Sequence, residues 1–208
     1  MKGTLQCGSG GQPSHGGGSP LFDAALPVSQ AGSDPTGELA ALFSLSEERP
    51  DSVRDLLRRG AQPTTCMASE PDLPVLHVAA QNGWVDSTIA LLEAGGDPDT
   101  LDGSGRAVLS ITRSADVMKA LLDFGADVHF RGDMALLMAC HHADAACFET
   151  LLSYGASLDA HPYGAPFIPP VRSFVAGQPF LDLVARHDKA HLEARLRLPD
   201  ASSIQHRL

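Results

Sequence analysis

Aromatic residues are scarce in this chain. They make up 5% of its 208 residues, with a single Trp and two Tyr. A thick core built on aromatic packing is therefore not expected, because Phe, Tyr and Trp supply much of the buried area in such cores. Long apolar runs are also missing, and no stretch reaches the roughly 18 consecutive apolar residues that indicate a transmembrane helix. The composition favours thin layers joined by many small Ala and Leu contacts, and no membrane span is expected.

Cysteine is rare as well. The four cysteines are too few and too widely spaced for a disulfide framework or a zinc site: Cys7, Cys66, Cys140 and Cys147. We interpret them as small buried apolar side chains in a reducing compartment. No apolar segment follows Lys2, so a secretory signal is not expected, and the predicted location is the cytoplasm.

Basic residues are outnumbered by acidic ones, and the net charge is −10 at pH 7. Residues 35–161 contain 19 acidic and 8 basic residues, whereas residues 162–208 contain 4 acidic and 6 basic ones. An acidic body repels nucleic-acid phosphate and anionic lipid, so neither is an expected partner. It would attract a basic protein. The same acidity would also keep a repeat array in solution without any partner, and the composition leaves both interpretations open.

What the chain does contain is a repeated motif of two adjacent leucines followed, three residues after the second, by glycine. Its four copies close at Gly60, Gly95, Gly125 and Gly155. The glycines are 35, 30 and 30 residues apart. Further leucines open the units that lie between these glycines: Leu76, Leu109 and Leu136. A near-constant period of about 30 residues is typical of stacked supersecondary units.

Two stretches carry a resemblance to a known family. The opening motif is most complete in Pro74-Val75-Leu76-His77-Val78-Ala79-Ala80, and a turn follows at Asp102-Gly103-Ser104-Gly105. Together with the closing Leu-Leu-x-x-Gly-Ala motifs, these residues resemble the ankyrin repeat over residues 36–161. The resemblance implies an all-α repeat solenoid of stacked helix-turn-helix units with β-turn or hairpin fingers. It also implies a structural role for His77, as a hydrogen-bond partner of backbone in a neighbouring turn.

Composition and repeat divide the chain into four parts. Residues 1–35 form a Gly/Ser/Pro-rich leader, which we expect to be disordered because it can bury little apolar area. The predicted ankyrin repeat domain, with a degenerate first unit, consists of units 36–63, 64–98, 99–128 and 129–161. Residues 162–198 are predicted to form a Pro-rich loop and two short capping helices, a degenerate fifth unit. Residues 199–208 are predicted to be a frayed tail.

No set of residues in the sequence indicates catalysis. The leader glycines are not followed by the Lys-Ser/Thr helix start of a phosphate-binding loop. Asp97, Asp99 and Asp102 lack the twelve-residue calcium loop and its final Glu. His141 and His142 are adjacent and so point in different directions, which disfavours a shared metal. We therefore predict a non-enzyme with no cofactor, no metal and no small-molecule substrate.

The resemblance implies instead a module that binds another protein through its concave surface of fingers and first helices, and that is monomeric by itself. The candidate partner-binding residues are Gln81, Asn82, Trp84, Asp102, Ser104, Arg106, Arg113, Phe130, Arg131, Asp133 and His141. We expect them to be exposed and to take no part in the core. Phe130 beside Arg131 would be an anchor pair. Trp84 either covers the helix junction or anchors the partner. The acidity suggests a basic partner, which the module would inhibit or neutralise.

An alternative hypothesis comes from a different class. The repeats would act as a structural spacer or scaffold subunit, or as part of a secreted host-directed effector. The partner contact would then lie in the disordered leader or in the Pro-rich loop. Repeat frames serve unrelated targets, so the sequence does not identify the partner.

Overall fold

The structure is a computed structural model that describes residues 34–45 and 47–197. The predicted disordered leader (apart from its last residues) and the predicted frayed tail lie outside the described residues. Across the described part, the regular structure consists of nine α-helices, two short 3-10 helices and two isolated β-bridges. The chain divides into two compact units, one ending at Val108 and the other beginning at Leu109.

The first unit contains two helix pairs. The helices are α1 (Pro35–Leu42), α2 (Pro50–Arg58), α3 (Val75–Asn82) and α4 (Val85–Glu93). In each pair the two helices pack on each other, and α2 also packs on α4. The core is aliphatic and thin, with Leu39, Val53, Val75 and Leu91 fully or almost fully buried. This agrees with the low aromatic content, since helices of two or three turns need such neighbours to persist in water.

The second unit repeats this arrangement. A single turn, α5 (Val108–Ile111), begins at the last residue of the first unit, and three helices follow: α6 (Ala115–Asp123), α7 (Met134–His141) and α8 (Ala145–Ser153). Helix α8 packs on both α6 and α7. Ser114 and Asp144 each cap a second helix by accepting a hydrogen bond from a backbone N–H of its first turn.

The repeated Leu-Leu-x-x-Gly motif has one local structure in all four copies. In each copy the N–H of the residue after the glycine donates to the carbonyl of the first leucine, at 2.9 to 3.0 Å. The glycine itself has a positive φ, 93° at Gly95, which L-residues with a side chain rarely adopt. This is the left-handed cap that ends a helix and turns the chain toward the next finger.

The region after Ala160 differs from the sequence prediction. The prediction of two short capping helices within residues 162–198 is wrong. The structure has one helix of 20 residues there, α9 (Gln178–Arg197). No Gly or Pro lies between Pro179 and Pro199, and Ala, Leu, Arg and Lys are good helix formers. Helix α9 packs on α8, and Phe180 contacts Phe148 edge-to-face at 5.1 Å.

The first helix of this last unit is reduced to a 3-10 turn, Val171–Phe174, which packs on α7. Prolines 166, 169 and 170 precede the turn and exclude a longer helix. The 3-10 turn contacts the first helix of the preceding repeat, and α9 contacts its second helix. The segment therefore has the contacts of a shortened fifth unit.

The cysteines are only partly as expected. Cys147 is buried and Cys140 half-buried, and burial raises the pKa of both thiols, to about 12 and about 11 respectively. The interpretation of all four as unpaired apolar side chains is wrong for Cys66, which is disulfide-bonded.

Candidate protein-binding fingers

The first finger, residues 101–107, is organised by Asp102. An antiparallel bridge joins Leu101 to Ala107. Between them, the Asp102 carboxylate accepts hydrogen bonds from the backbone N–H groups of Ser104 and Arg106, both at 2.9 Å, and from Nε of Arg106 at 2.7 Å. The Asp102 side chain is 4% exposed, while that of Arg106 is 57% exposed. The expectation that Asp102 is an exposed contact residue is therefore wrong.

The electrostatics of Asp102 follow from these contacts. Burial opposes ionisation, but the hydrogen bonds and positive charge of Arg106, together with the Ser104 N–H, outweigh it and lower the pKa of this carboxyl below its ordinary value. Asp102 is therefore a fixed negative charge that shapes the finger and holds Arg106 in place.

His77 stabilises the chain immediately before the first finger. The imidazole is fully buried, and its Nε2 donates to the carbonyl of Thr100 at 2.9 Å. Burial lowers the pKa of His77 despite this bond, so the ring is neutral at pH 7. The N–H of Gly103 donates to the carbonyl of Asp72 at 2.8 Å. The predicted structural role of His77 is thus confirmed by its geometry.

The second finger, residues 127–133, is organised by Asp133. Its carboxylate pairs with Nδ1 of His129 at 2.8 Å. The Asp133 side chain is 2% exposed, so the expectation of an exposed contact residue is wrong here too. Burial raises the pKa of Asp133, and the hydrogen bonds from His129 and the Ser157 N–H oppose this only in part.

The predicted anchor pair lies in this finger but is partly covered. Phe130 is half-buried, and the Arg131 guanidinium lies over the rings of both Phe130 (5.3 Å) and Tyr163 (5.9 Å). The Tyr163 N–H donates to the Arg131 carbonyl at 2.6 Å. A Cβ on Gly132 would overlap the carbonyl oxygen of His161. The segment Pro162–Gly164 therefore packs on the tip of the second finger.

The sequence analysis did not predict that Pro162–Gly164 packs on the second finger, although the distance of Pro162 from the closing glycine indicates it. Pro162 follows the closing Gly155 by seven residues, as Asp102 follows Gly95. Pro162 and Tyr163 therefore occupy the positions of a further finger. The loss of the Asp-Gly turn in that copy hid the correspondence.

The first-helix candidates differ in whether their side chains bond within the fold. Gln81 and Asn82 are both exposed, but the Asn82 amide donates to the Val78 carbonyl at 2.9 Å and so completes its own helix end. Trp84 is half-buried against Phe43, with ring centroids 5.8 Å apart, which favours the role of covering the helix junction.

In the second unit, the structure brings Arg113 and His141 together around His142. All three are exposed. Nη2 of Arg113 lies 3.4 Å from Nδ1 of His142, and the His141 ring contacts the His142 ring edge-on at 5.3 Å. Burial, followed by the positive charges of Arg113 and His141, lowers the pKa of His142. The cluster is therefore a small polar surface at the end of α7.

Among the described residues, no three or more His, Cys, Asp or Glu side chains are grouped so as to hold a metal ion. In the same part of the chain, no helix combines the length and the apolar character required to cross a bilayer.

Comparison with known proteins identifies a family and two relatives to which parts of this chain are similar. A family model described as ankyrin repeats, in three copies, matches residues 76–162. The E3 ubiquitin-protein ligase KEG of Arabidopsis thaliana is 30% identical over 96 residues, which is 45% of this chain and 6% of that protein. The tyrosine-protein kinase HTK16 of Hydra vulgaris is 27% identical over 143 residues, 59% of this chain and 19% of that protein. The chain thus spans less than a fifth of either relative.

The matched region begins at Leu76 in α3 and ends at Pro162, so it includes the helix pairs α3–α4, α5–α6 and α7–α8 and both fingers. The first pair, α1–α2, lies before it but closes with the same hydrogen bond. The fold class is that of an all-α repeat solenoid, and ankyrin repeats indicate a protein-protein interaction module. Residues 76–162 therefore consist of repeats of the ankyrin type.

Proposed function

We propose that this chain is a non-catalytic module that binds a protein partner through the exposed residues of its fingers and first helices. The observation that carries the proposal is the construction of the fingers. Each has a buried carboxylate paired with a basic side chain four residues away, and exposed side chains such as Ser104, Arg106 and Arg131 extend from these ordered turns. A preordered surface loses little conformational entropy on binding.

The binding surface, as revised by burial, is smaller than the sequence suggests. It retains six exposed candidates, of which the first unit contains Gln81, Ser104 and Arg106 and the second unit contains Arg113, Arg131 and His141. Asp102, Asp133, Asn82 and Trp84 support these residues. Support of this kind makes the contact geometry depend on side chains that the partner never touches.

We further propose that the partner is a basic protein that the module inhibits or neutralises in the cytoplasm. The excess of acidic residues over residues 35–161 supports this, because it would speed association with a basic surface. The affinity should then fall as NaCl is raised from about 50 mM to 500 mM, since screening shortens the reach of surface charge. An affinity independent of salt would argue against a basic partner.

The test compares two double variants of the full chain in capture from the source cell, quantified by mass spectrometry. Gln81→Lys with Ser104→Lys adds two positive charges and bulk to the first helix and finger, where both side chains are exposed. Ala94→Lys with Ala146→Lys makes the same charge change at exposed positions at the end of α4 and on α8. We expect the first variant to lose the captured partner and the second to keep it.

Equal retention by both variants would contradict the assignment of the surface. Loss of the partner only on removal of residues 1–33 would favour the alternative hypothesis, in which the leader carries the contact and the repeats act as a spacer. Both variants should unfold at the temperature of the wild type, because no substituted side chain is buried.

A further inference from the structure

The loop of residues 161–171 differs in chemistry from the fingers. It contains no Asp, Glu, Lys or Arg, and three of its four prolines lie between residues 166 and 170. At its tip, the Phe167 side chain is 86% exposed, which makes it the most exposed large apolar side chain in the described part of the chain. A phenylalanine left in water forgoes about 2 kcal/mol of burial free energy.

The loop around Phe167 is nevertheless held firmly. Nδ1 of His161 donates to the carbonyl of Ile168 at 2.7 Å, and the Ile168 N–H donates to the carbonyl of Ala165 at 3.0 Å. The base is closed by the Val171 N–H, which donates to the Ala160 carbonyl at 3.0 Å. The conformation of the loop is thus set by the chain itself, while its largest side chain contributes almost no packing to it.

We infer that Phe167 is the anchor of a second docking surface and enters an apolar pocket on the partner protein. This inference rests on the proposed binding function but concerns a different surface. Large aromatic side chains that fill pockets dominate the energetics of many interfaces. A fixed loop presents such a side chain without the entropy loss of ordering it.

The backbone of the loop excludes the main alternative, addition of a strand to the edge of a partner's sheet. Pro166, Pro169 and Pro170 have no N–H to donate. Both backbone polar groups of Ile168 are already bonded within the loop. What Phe167 offers a partner is its apolar side chain, so the surface that matches it is an uncharged pocket.

The test uses the full chain and the partner protein that the wild-type chain captures. Phe167→Ala should weaken the dissociation constant for that purified partner by about tenfold or more. The matched control is Phe124→Ala, which removes a ring that is 43% exposed at the end of α6. The control should change the affinity less than twofold, and Phe167→Ala should not lower the unfolding temperature appreciably.

Four outcomes decide between the possibilities. Unchanged affinity of Phe167→Ala would overturn the inference, and so would a fall in unfolding temperature that accounts for the lost binding. A tenfold loss that persists at both 50 mM and 500 mM NaCl would support an uncharged pocket. If the finger variant Gln81→Lys with Ser104→Lys binds normally while Phe167→Ala does not, the finger proposal fails and the loop proposal stands.

Discussion

In both fingers an acidic residue pairs with a basic one, but the order of the two residues along the chain is reversed. In the first, Asp102 pairs with Arg106, and in the second, His129 pairs with Asp133, in both cases four residues apart. A glycine precedes the second member of each pair, with φ of 72° at Gly105 and 71° at Gly132. In each finger the acid is buried and the base is more than half exposed. The buried carboxylate therefore stands at the beginning of one turn and at its end in the other.

This reversal changes what each carboxylate can do. Asp102 faces the N–H groups of its own turn, and with Arg106 beside it the ionised form is favoured, so its pKa is lowered. Asp133 lies in the left-handed region at φ 57°, and burial outweighs its two partners, so its pKa is raised. The ionised carboxylate of Asp102 thus stabilises the first finger, whereas ionisation of the buried Asp133 carboxyl is disfavoured in the second.

The largest expected effect concerns the cover of the second finger. Gly132→Ala adds a Cβ that would overlap the backbone of His161 and forces alanine into a left-handed conformation. Backbone cannot move aside as a flexible side chain can, so we expect a loss of about 3–4 kcal/mol in the free energy of unfolding, measured by urea denaturation. Gly164→Ala is the control, since its φ is 65° but nothing lies within 4 Å of the new Cβ.

The control should lose only about 1 kcal/mol, the strain of a left-handed alanine. If the two variants were equally stable, Pro162–Gly164 would not pack on the second finger as described. The Phe130–Arg131 pair would then be open for binding after all.

Neutralising each buried carboxylate tests the comparison directly. Asp102→Asn replaces one of two accepting oxygens by an amide that cannot accept from Arg106, and should destabilise by about 2 kcal/mol at pH 7. Asp133→Asn retains one acceptor and removes an unfavourably buried charge, so it should stay within about 1 kcal/mol of the wild type. Urea denaturation of both variants provides the measurement, and equal losses would refute the difference between the fingers.

Much of the local structure follows from short-range sequence. The Leu121-Leu122-x-x-Gly125 motif specifies a helix end with its cap, because the residues that form the hydrogen bonds are neighbours in the chain. His77 could likewise be placed by the resemblance of its motif to ankyrin repeats.

The errors arise where distant residues meet. Asp133 is a surface residue by type, and its burial depends on Ser157, His129 and the segment that follows the fourth repeat. The cover by Tyr163 depends on a contact across 32 residues, formed by a fifth finger that has lost the family's turn residues. The periodicity of one helix indicates which face is apolar, but it does not indicate what covers that face.

The smallest expected effect is a difference in pH dependence between the two fingers. Burial lowers the pKa of His77, which faces the Thr100 carbonyl, Asp102 and Arg106, so the unfolded chain binds a proton more readily than the folded one. The stability contributed by neutral His77 is complete above about pH 6.5, the pKa of an unfolded histidine, and is lost as the pH falls through the folded value. Asp133 has the opposite sign, since a raised carboxyl pKa favours folding at low pH.

Acidification from pH 7 to pH 5 should therefore loosen the first finger more than the second. The reporter amides are Val108, which donates to Thr100, and Tyr163, which donates to Arg131. Hydrogen-exchange protection, corrected for intrinsic rates, should fall at Val108 and hold at Tyr163. In His77→Leu the protection at Val108 should be lower but nearly independent of pH over this range, because the titrating group is gone. A parallel fall at both amides in the wild type would show that a global acid transition, and not the buried histidine, governs the first finger.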